Sequence, residues 1–221
     1  MSLLSCIEVN PQNPATASVI WLHGLGADGS DFEAIVPQLN LPKELPIRFV
    51  FPNAPAIPIT INGGFVMPAW YDILEMNIER KVDERQLLQS SEAIHALIER
   101  EITRGIKSHR IILAGFSQGG AVCYQAALSY PKTLGGLIAM STYFATANTV
   151  VLEQANQQLP IHIYHGSRDP MVVESLGHKA KQTLQAMGFN PAYDTYVMEH
   201  EVCLEQITDI SHQIQTWLTN D

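Results

Sequence analysis

The sequence predicts an α/β protein with a mostly parallel central sheet and helices on both faces. Three observations lead there. Short apolar, β-branched runs recur along the chain, turn residues follow each of them, and a segment with helical spacing comes next. Runs such as Ile111-Ile112-Leu113-Ala114 are apolar without alternation, as expected of strands covered on both faces.

Val19-Ile20-Trp21-Leu22 is the first clear strand, and a helix is expected over 31–39. Arg48 to Phe51 is the next strand. The stretch Asn53 to Asn77 is rich in proline and glycine and has little periodicity, which predicts a long loop with a function of its own. Phe65, Met67, Trp70 and Tyr71 make it too apolar for a plain solvent linker, and a short strand pair around Ile59 to Ile61 is the alternative. Leu87, Ile94, Leu97, Ile98 and Ile102 then share one face of a helix over 83–104, which Gly105 ends. Strands Arg110 to Ala114, Leu137 to Met140, Ile161 to Tyr164 and Tyr193 to Met198 follow, with helices near 118–130, 172–187 and 201–218. Pro131 stops the first of these helices and Gly188 the second. No internal repeat or low-complexity tract is found.

Composition narrows the function. The 221 residues carry 13 Lys plus Arg against 22 Asp plus Glu, a net charge of −9, which disfavours nucleic acid because phosphate binding needs a basic patch. With 46% hydrophobic and 16% charged residues, the chain is expected to bury a sizeable core as a soluble protein. Cys6, Cys123 and Cys203 cannot form a fully paired disulfide set and match no zinc spacing, which points to a reducing, cytoplasmic location. Leu3-Leu4-Ser5-Cys6 lacks the basic and apolar stretches of an export signal, and no apolar run reaches the ~20 residues that span a bilayer, so no stable membrane anchor is expected.

The chemistry centres on Gly115-Phe116-Ser117-Gln118-Gly119, a G-x-S-x-G directly after a buried strand and directly before a helix, where a nucleophile elbow belongs. A serine hydroxyl needs a base to take its proton and a third group to orient that base. In this architecture the acid and then the histidine follow the serine, and reactive groups gather at the carboxyl ends of parallel strands. Asp169, just beyond the strand Ile161 to Tyr164, and His200, just beyond Tyr193 to Met198, meet both conditions. Asp194 falls at the opposite edge, Glu174 falls already inside the next helix, His178 and His212 lie within helices, and His162 lies within a strand. The oxyanion donors are expected to be the backbone N–H of Gln118 and that of Leu25, in the loop after the first strand. These groups spread over nearly the whole chain, which predicts one domain over 1–221.

Gly24-Leu25-Gly26-Ala27-Asp28-Gly29 is also a literal G-x-G-x-x-G, which makes an NAD-binding oxidoreductase the rival enzyme. Asp28 would repel a pyrophosphate, and the following strand ends in Phe51-Pro52-Asn53 without the acid expected at a ribose. A hydrolase fold kept only as a catalytically impaired binding module is the rival from a different class. His200-Glu201 begins a zinc H-E-x-x-H but Leu204 occupies the second histidine's place.

Taken together, His23-Gly24-Leu25-Gly26 with Asp31, Pro52-Asn53-Ala54-Pro55, Met67-Pro68-Ala69-Trp70-Tyr71-Asp72, Gly115 to Gly120, His165-Gly166 with Asp169, and His200 resemble the phospholipase/carboxylesterase family of α/β-hydrolases. That family includes bacterial carboxylesterases and acyl-protein thioesterases. The resemblance covers nearly the whole chain. It implies a small α/β-hydrolase fold without a large cap domain, acting on esters, thioesters or lysophospholipids with no metal and no cofactor. The implied partners are a small-molecule or lipid-like acyl ester or an acylated protein, with the enzyme a monomer or homodimer. Carried onto this chain, Ser117 is the nucleophile, His200 the general base and acid, Asp169 its orienting group, and Leu25 with Gln118 the oxyanion hole. Trp70 is expected to wall the acyl site or, as a large aromatic, to belong to the core, with Met67 and Phe65 of the same loop also binding substrate. The family usually has glycine immediately before the histidine, whereas this chain reads Met198-Glu199-His200-Glu201. Glutamate at 199 is expected to disfavour the backbone angles that glycine allows, reducing activity, or to move the pH optimum upward.

Overall fold

The computed structural model describes residues 3–75 and 81–219, so Met76 and Asn77 at the end of the predicted loop lie outside the described residues. In chain order the elements are β1 (Cys6–Val9), β2 (Ala17–Leu22), α1 (Ser30–Glu33), β3 (Ile47–Pro52), β4 (Ala56–Ile59), β5 (Phe65–Pro68), β6 (Ile73–Glu75) and β7 (Lys81–Val82). Then come α2 (Glu84–Thr103), β8 (Ile111–Phe116), α3 (Gln118–Leu128), β9 (Gly136–Met140), β10 (Ile161–Gly166), α4 (Glu174–Ala186), β11 (Ala192–Tyr196) and α5 (Leu204–Thr219).

Among the described residues seven strands form the central sheet in the order β1-β3-β2-β8-β9-β10-β11. All neighbours are parallel except β1, which runs antiparallel to β3 with Ile7 opposite Phe51. From β2 the chain moves outward to β3, then returns past β2 to β8 and builds the other half. Strand order therefore reverses between β2 and β8, and a crevice opens there at the strands' carboxyl ends.

Alternation divides the apolar residues between two cores. Ile20, Leu22, Ile111 and Leu113 face α2, α3 and α4, while Val19, Trp21, Ile112 and Ala114 face α1 and α5. The predicted α2 stripe is the buried one, with Leu87, Ile94, Leu97 and Ile98 all within the first core.

Two local expectations need correction or refinement, and one strand was not expected. The helix expected over 31–39 is instead the single turn α1 followed by a 3-10 turn at Val36–Leu39. Proline at 37 has no N–H for the Glu33 carbonyl and its ring would clash with it, so one continuous α-helix cannot pass through. Within 53–77, β4 and β5 form an antiparallel hairpin with Ile59 opposite Phe65, closed by a 3-10 turn at Thr60–Asn62. The strand pair was legible but offset, because Ile61 lies in the turn. Strand β1 is a short, half-buried edge strand of only four residues, too brief to show a period.

That edge is tied down by charge. Glu101 of α2 is fully buried and accepts from Arg48 of β3 at 2.8 Å, with Arg104 at 3.1 Å and Arg100 at 3.2 Å also against it. Glu8 of β1 in turn pairs with Arg100 at 3.0 Å and Arg104 at 2.9 Å.

Candidate active site

Ser117 sits between β8 and α3, at the helix N-cap, with φ 53° and ψ −120°. This left-handed backbone is strained for a residue with a Cβ. Two bonds from the end of β9 brace it: the Ser117 N–H donates to the Met140 carbonyl at 2.9 Å, and the Thr142 hydroxyl donates to the Ser117 carbonyl at 2.6 Å. The turn is tight enough that a Cβ on Gly115 would stand 2.6 Å from the Gly119 carbonyl, and one on Gly119 would stand 2.5 Å from the His23 carbonyl. Both glycines of the motif are therefore steric requirements of the elbow.

His200 and Asp169 come to Ser117 from the far half of the sheet. His200 Nε2 lies 2.9 Å from Ser117 Oγ, and His200 Nδ1 lies 2.7 Å from Asp169 Oδ2. An ionised carboxylate only accepts, so Nδ1 carries the proton and Nε2 presents its lone pair to the serine hydroxyl. Asp169 Oδ1 accepts the amides of Met171 at 2.9 Å and Val172 at 2.8 Å. Burial by itself raises the Asp169 pKa, but the bonds from His200 and these amides outweigh it and hold the carboxyl below its usual range. Asp194 and His162 pair with each other at 2.7 Å, away from this line, and Glu174 is the first residue of α4.

The loop that delivers His200 depends on Gly166, where a Cβ would collide with the carbonyls of Met198 and Glu199. The strain expected at Glu199 is absent: among the described non-glycine residues only Asn40, Ser117 and Ser141 have positive φ. The close approach at this corner is made from Gly166 of the neighbouring strand, and the Glu199 side chain is exposed.

A cavity of about 540 Å³ opens over this line and is bounded by Leu25, Ser117, Gln118 and His200. Among the described residues the Leu25 and Gln118 amides have no hydrogen-bond acceptor. The G-x-G-x-x-G segment is the loop that carries Leu25, and Asp28 caps it by accepting from the Ser30 amide at 2.8 Å. The four-residue α1 behind it is too short for the phosphate-binding helix of a dinucleotide site.

The three substrate-binding expectations do not hold for this cavity. Trp70 is 1% exposed and lies beneath the site, its indole N–H donated to the His23 carbonyl at 2.9 Å and its ring packed on His23 at 5.1 Å. Met67 lies under Gly26, while Phe65 is 69% exposed on the hairpin. Neither borders the cavity. Its apolar walls are Ile61, Ile73, Phe116, Tyr143, Met171 and Val172. Ile61 and Ile73 belong to the 53–77 stretch, so the segment was found but not its inward side chains. The signal missed at Met171 and Val172 was their place two and three residues after Asp169.

Several buried groups share one pH response. Burial lowers the pKa of His23, His95 and His165 below the ordinary 6.5, more than their backbone hydrogen bonds raise it. The geometry at His23 agrees, because Nδ1 donates to the Gly24 carbonyl while Nε2 accepts the Ala54 amide, leaving no room for a second proton. A depressed folded pKa means that the unfolded chain binds more protons as pH falls, so each group contributes stability above its unfolded pKa that is lost on acidification. Asp169 has the same sign at lower pH. The melting temperature is expected to fall steadily from pH 7 to pH 4, measurable by circular dichroism; a melting temperature that rises over that range would refute the assignment.

No described helix is long and apolar enough to cross a membrane. The phospholipase/carboxylesterase family pattern matches residues 5–218. Acyl-protein thioesterase 1 of Neurospora crassa is 39% identical over 206 residues, covering 88% of this chain and 84% of its own. Acyl-protein thioesterase 1 of Saccharomyces cerevisiae is 35% identical over 218 residues, covering 94% and 95%. The crystal structure of Zea mays acyl-protein thioesterase 2 superposes with a TM-score of 0.87 at 25% identity, covering 97% of this chain and 99% of that one. With a strained serine elbow at a strand-order reversal, a histidine and an aspartate in line behind it, and a family match over almost its full length, the chain belongs to the phospholipase/carboxylesterase family and is a serine hydrolase of the α/β-hydrolase fold.

Proposed function

We propose that the protein cleaves acyl thioesters and esters, with acylated proteins as its substrate class, through an acyl-enzyme on Ser117. The observation that carries this reading is the hydrogen-bonded line Ser117 Oγ–His200–Asp169 opening into an apolar cavity. His200 Nε2 takes the hydroxyl proton as Ser117 Oγ bonds to the acyl carbon, and the carbonyl oxygen becomes an anion held by the Leu25 and Gln118 amides. The imidazolium, oriented by ionised Asp169, gives its proton to the departing thiol or alcohol as the C–S or C–O bond breaks. Water then attacks the acyl-enzyme, His200 takes a proton from it and returns one to Ser117 Oγ, and the carboxylic acid leaves. The acyl chain lies among Ile61, Ile73, Phe116, Tyr143, Met171 and Val172. The similarity to acyl-protein thioesterases supports the thioester, and three free cysteines fit a reducing, cytoplasmic setting.

A fluorophosphonate probe is expected to label Ser117, and a chain-length series of matched esters and thioesters should show kcat/KM rising until the cavity is filled. Absence of labelling in folded protein would favour the impaired binding module instead. A flat chain-length series would remove the cavity from the acyl site.

A further inference from the structure

Resting on the reading above, we propose that Trp70 and the side chain of Gln118 are positioning residues that set the spacing of the two oxyanion-hole amides. Leu25 stands on the loop after β2 and Gln118 opens α3 after β8, both beyond the reach of the sheet's ladder. One buried segment, Pro68 to Tyr71, clamps both. On the Leu25 side, the Gly26 amide donates to the Pro68 carbonyl at 2.8 Å, and the Trp70 indole N–H donates to the His23 carbonyl at 2.9 Å, so Leu25 is held from each flank. On the elbow side, Gln118 Oε1 accepts the Trp70 amide at 2.8 Å and Gln118 Nε2 donates to the Tyr71 carbonyl at 2.6 Å. The Ser90 hydroxyl of α2 donates to the Trp70 carbonyl at 2.5 Å, anchoring the clamp to a long helix.

Trp70, Tyr71, His23 and Gln118 are each at most 1% exposed, so these bonds form away from competing water. With both amide atoms committed to the segment, the Gln118 side chain makes no call on substrate; its role is to hold its own backbone N–H. Oxyanion donors act by being in place before charge develops, and a misplacement of about 1 Å costs roughly a hundredfold in rate. A clamp spanning both donors is the part of the structure that keeps that distance.

The test uses Trp70→Phe, which keeps the ring and removes the indole donor, and Gln118→Met, which keeps the bulk and removes both bonds. Each is expected to lower kcat for a p-nitrophenyl ester about 10- to 100-fold with KM within about twofold. Affinity for an alkyl trifluoromethyl ketone, whose adduct places an oxyanion in the hole, should weaken by the same factor. Ile214→Val in the opposite core serves as a control for lost stability without lost kcat. A variant that melts lower yet keeps kcat and ketone affinity would overturn the proposal, as would failure of both variants to fold, which would make the segment a packing element. Turnover that survives Ser117→Ala would instead overturn the catalytic reading, so the two failures are distinct.

Discussion

Ser117→Ala is expected to lower turnover of a p-nitrophenyl thioester or ester by about four to six orders of magnitude while the melting temperature moves by only a few degrees. The size follows from the coupling of the line: without Oγ there is no covalent intermediate, and the oriented His200–Asp169 pair has no proton to take. The small structural effect follows from the bonds that brace the elbow. Met140 and Thr142 hold the backbone N–H and carbonyl of Ser117, not its side chain, and alanine leaves both in place. The removed hydroxyl partners His200 Nε2, which borders the cavity and can turn to water. Steady-state rates on protein checked by circular dichroism measure both quantities, and a loss smaller than about a hundredfold would remove Ser117 from the covalent step.

Glu101→Ala should be the most damaging change far from the site, costing about 3 to 5 kcal/mol of folding stability. Glu101 is fully buried and faces three guanidinium groups, with Arg48 and Arg100 each 17% exposed. Removing it leaves Glu8 alone against Arg100 and Arg104 and leaves Arg48 without its carboxylate. At about 2 to 4 °C per kcal/mol for a chain of this size, the melting temperature should fall by roughly 10 °C, seen by calorimetry. A loss under about 1 kcal/mol would mean that water reaches the cluster. Because the cluster ties β1 and β3 to α2, kcat in the surviving folded protein should change little.

Ser117, Asp169 and His200 were legible because each lies next to a strand that can be read locally: a continuous apolar run before the elbow, and a run ending just before the acid or the base. The order of strands then brought the three to one edge. The helix stripe at Leu87, Ile94, Leu97 and Ile98 was legible for the same reason, since one face of a regular helix leaves a period in the sequence. The 31–39 helix was misread because Pro37 acts on a carbonyl four residues earlier, which an apolar count ignores. Trp70 stayed open between cavity wall and core because an aromatic residue in a functional loop looks alike whether it faces a cavity or the core beneath it.

Local periodicity, turn chemistry and chain order are enough to give the fold class and to bring Ser117, Asp169 and His200 to one edge of the sheet. Which face of the 53–77 stretch meets the cavity, the place of Trp70 under the site, and the gathering of arginines from two elements at Glu101 come instead from long-range packing. Those outcomes depend on contacts between residues 47 to 96 positions apart, where geometry and burial, not pattern, choose the partner.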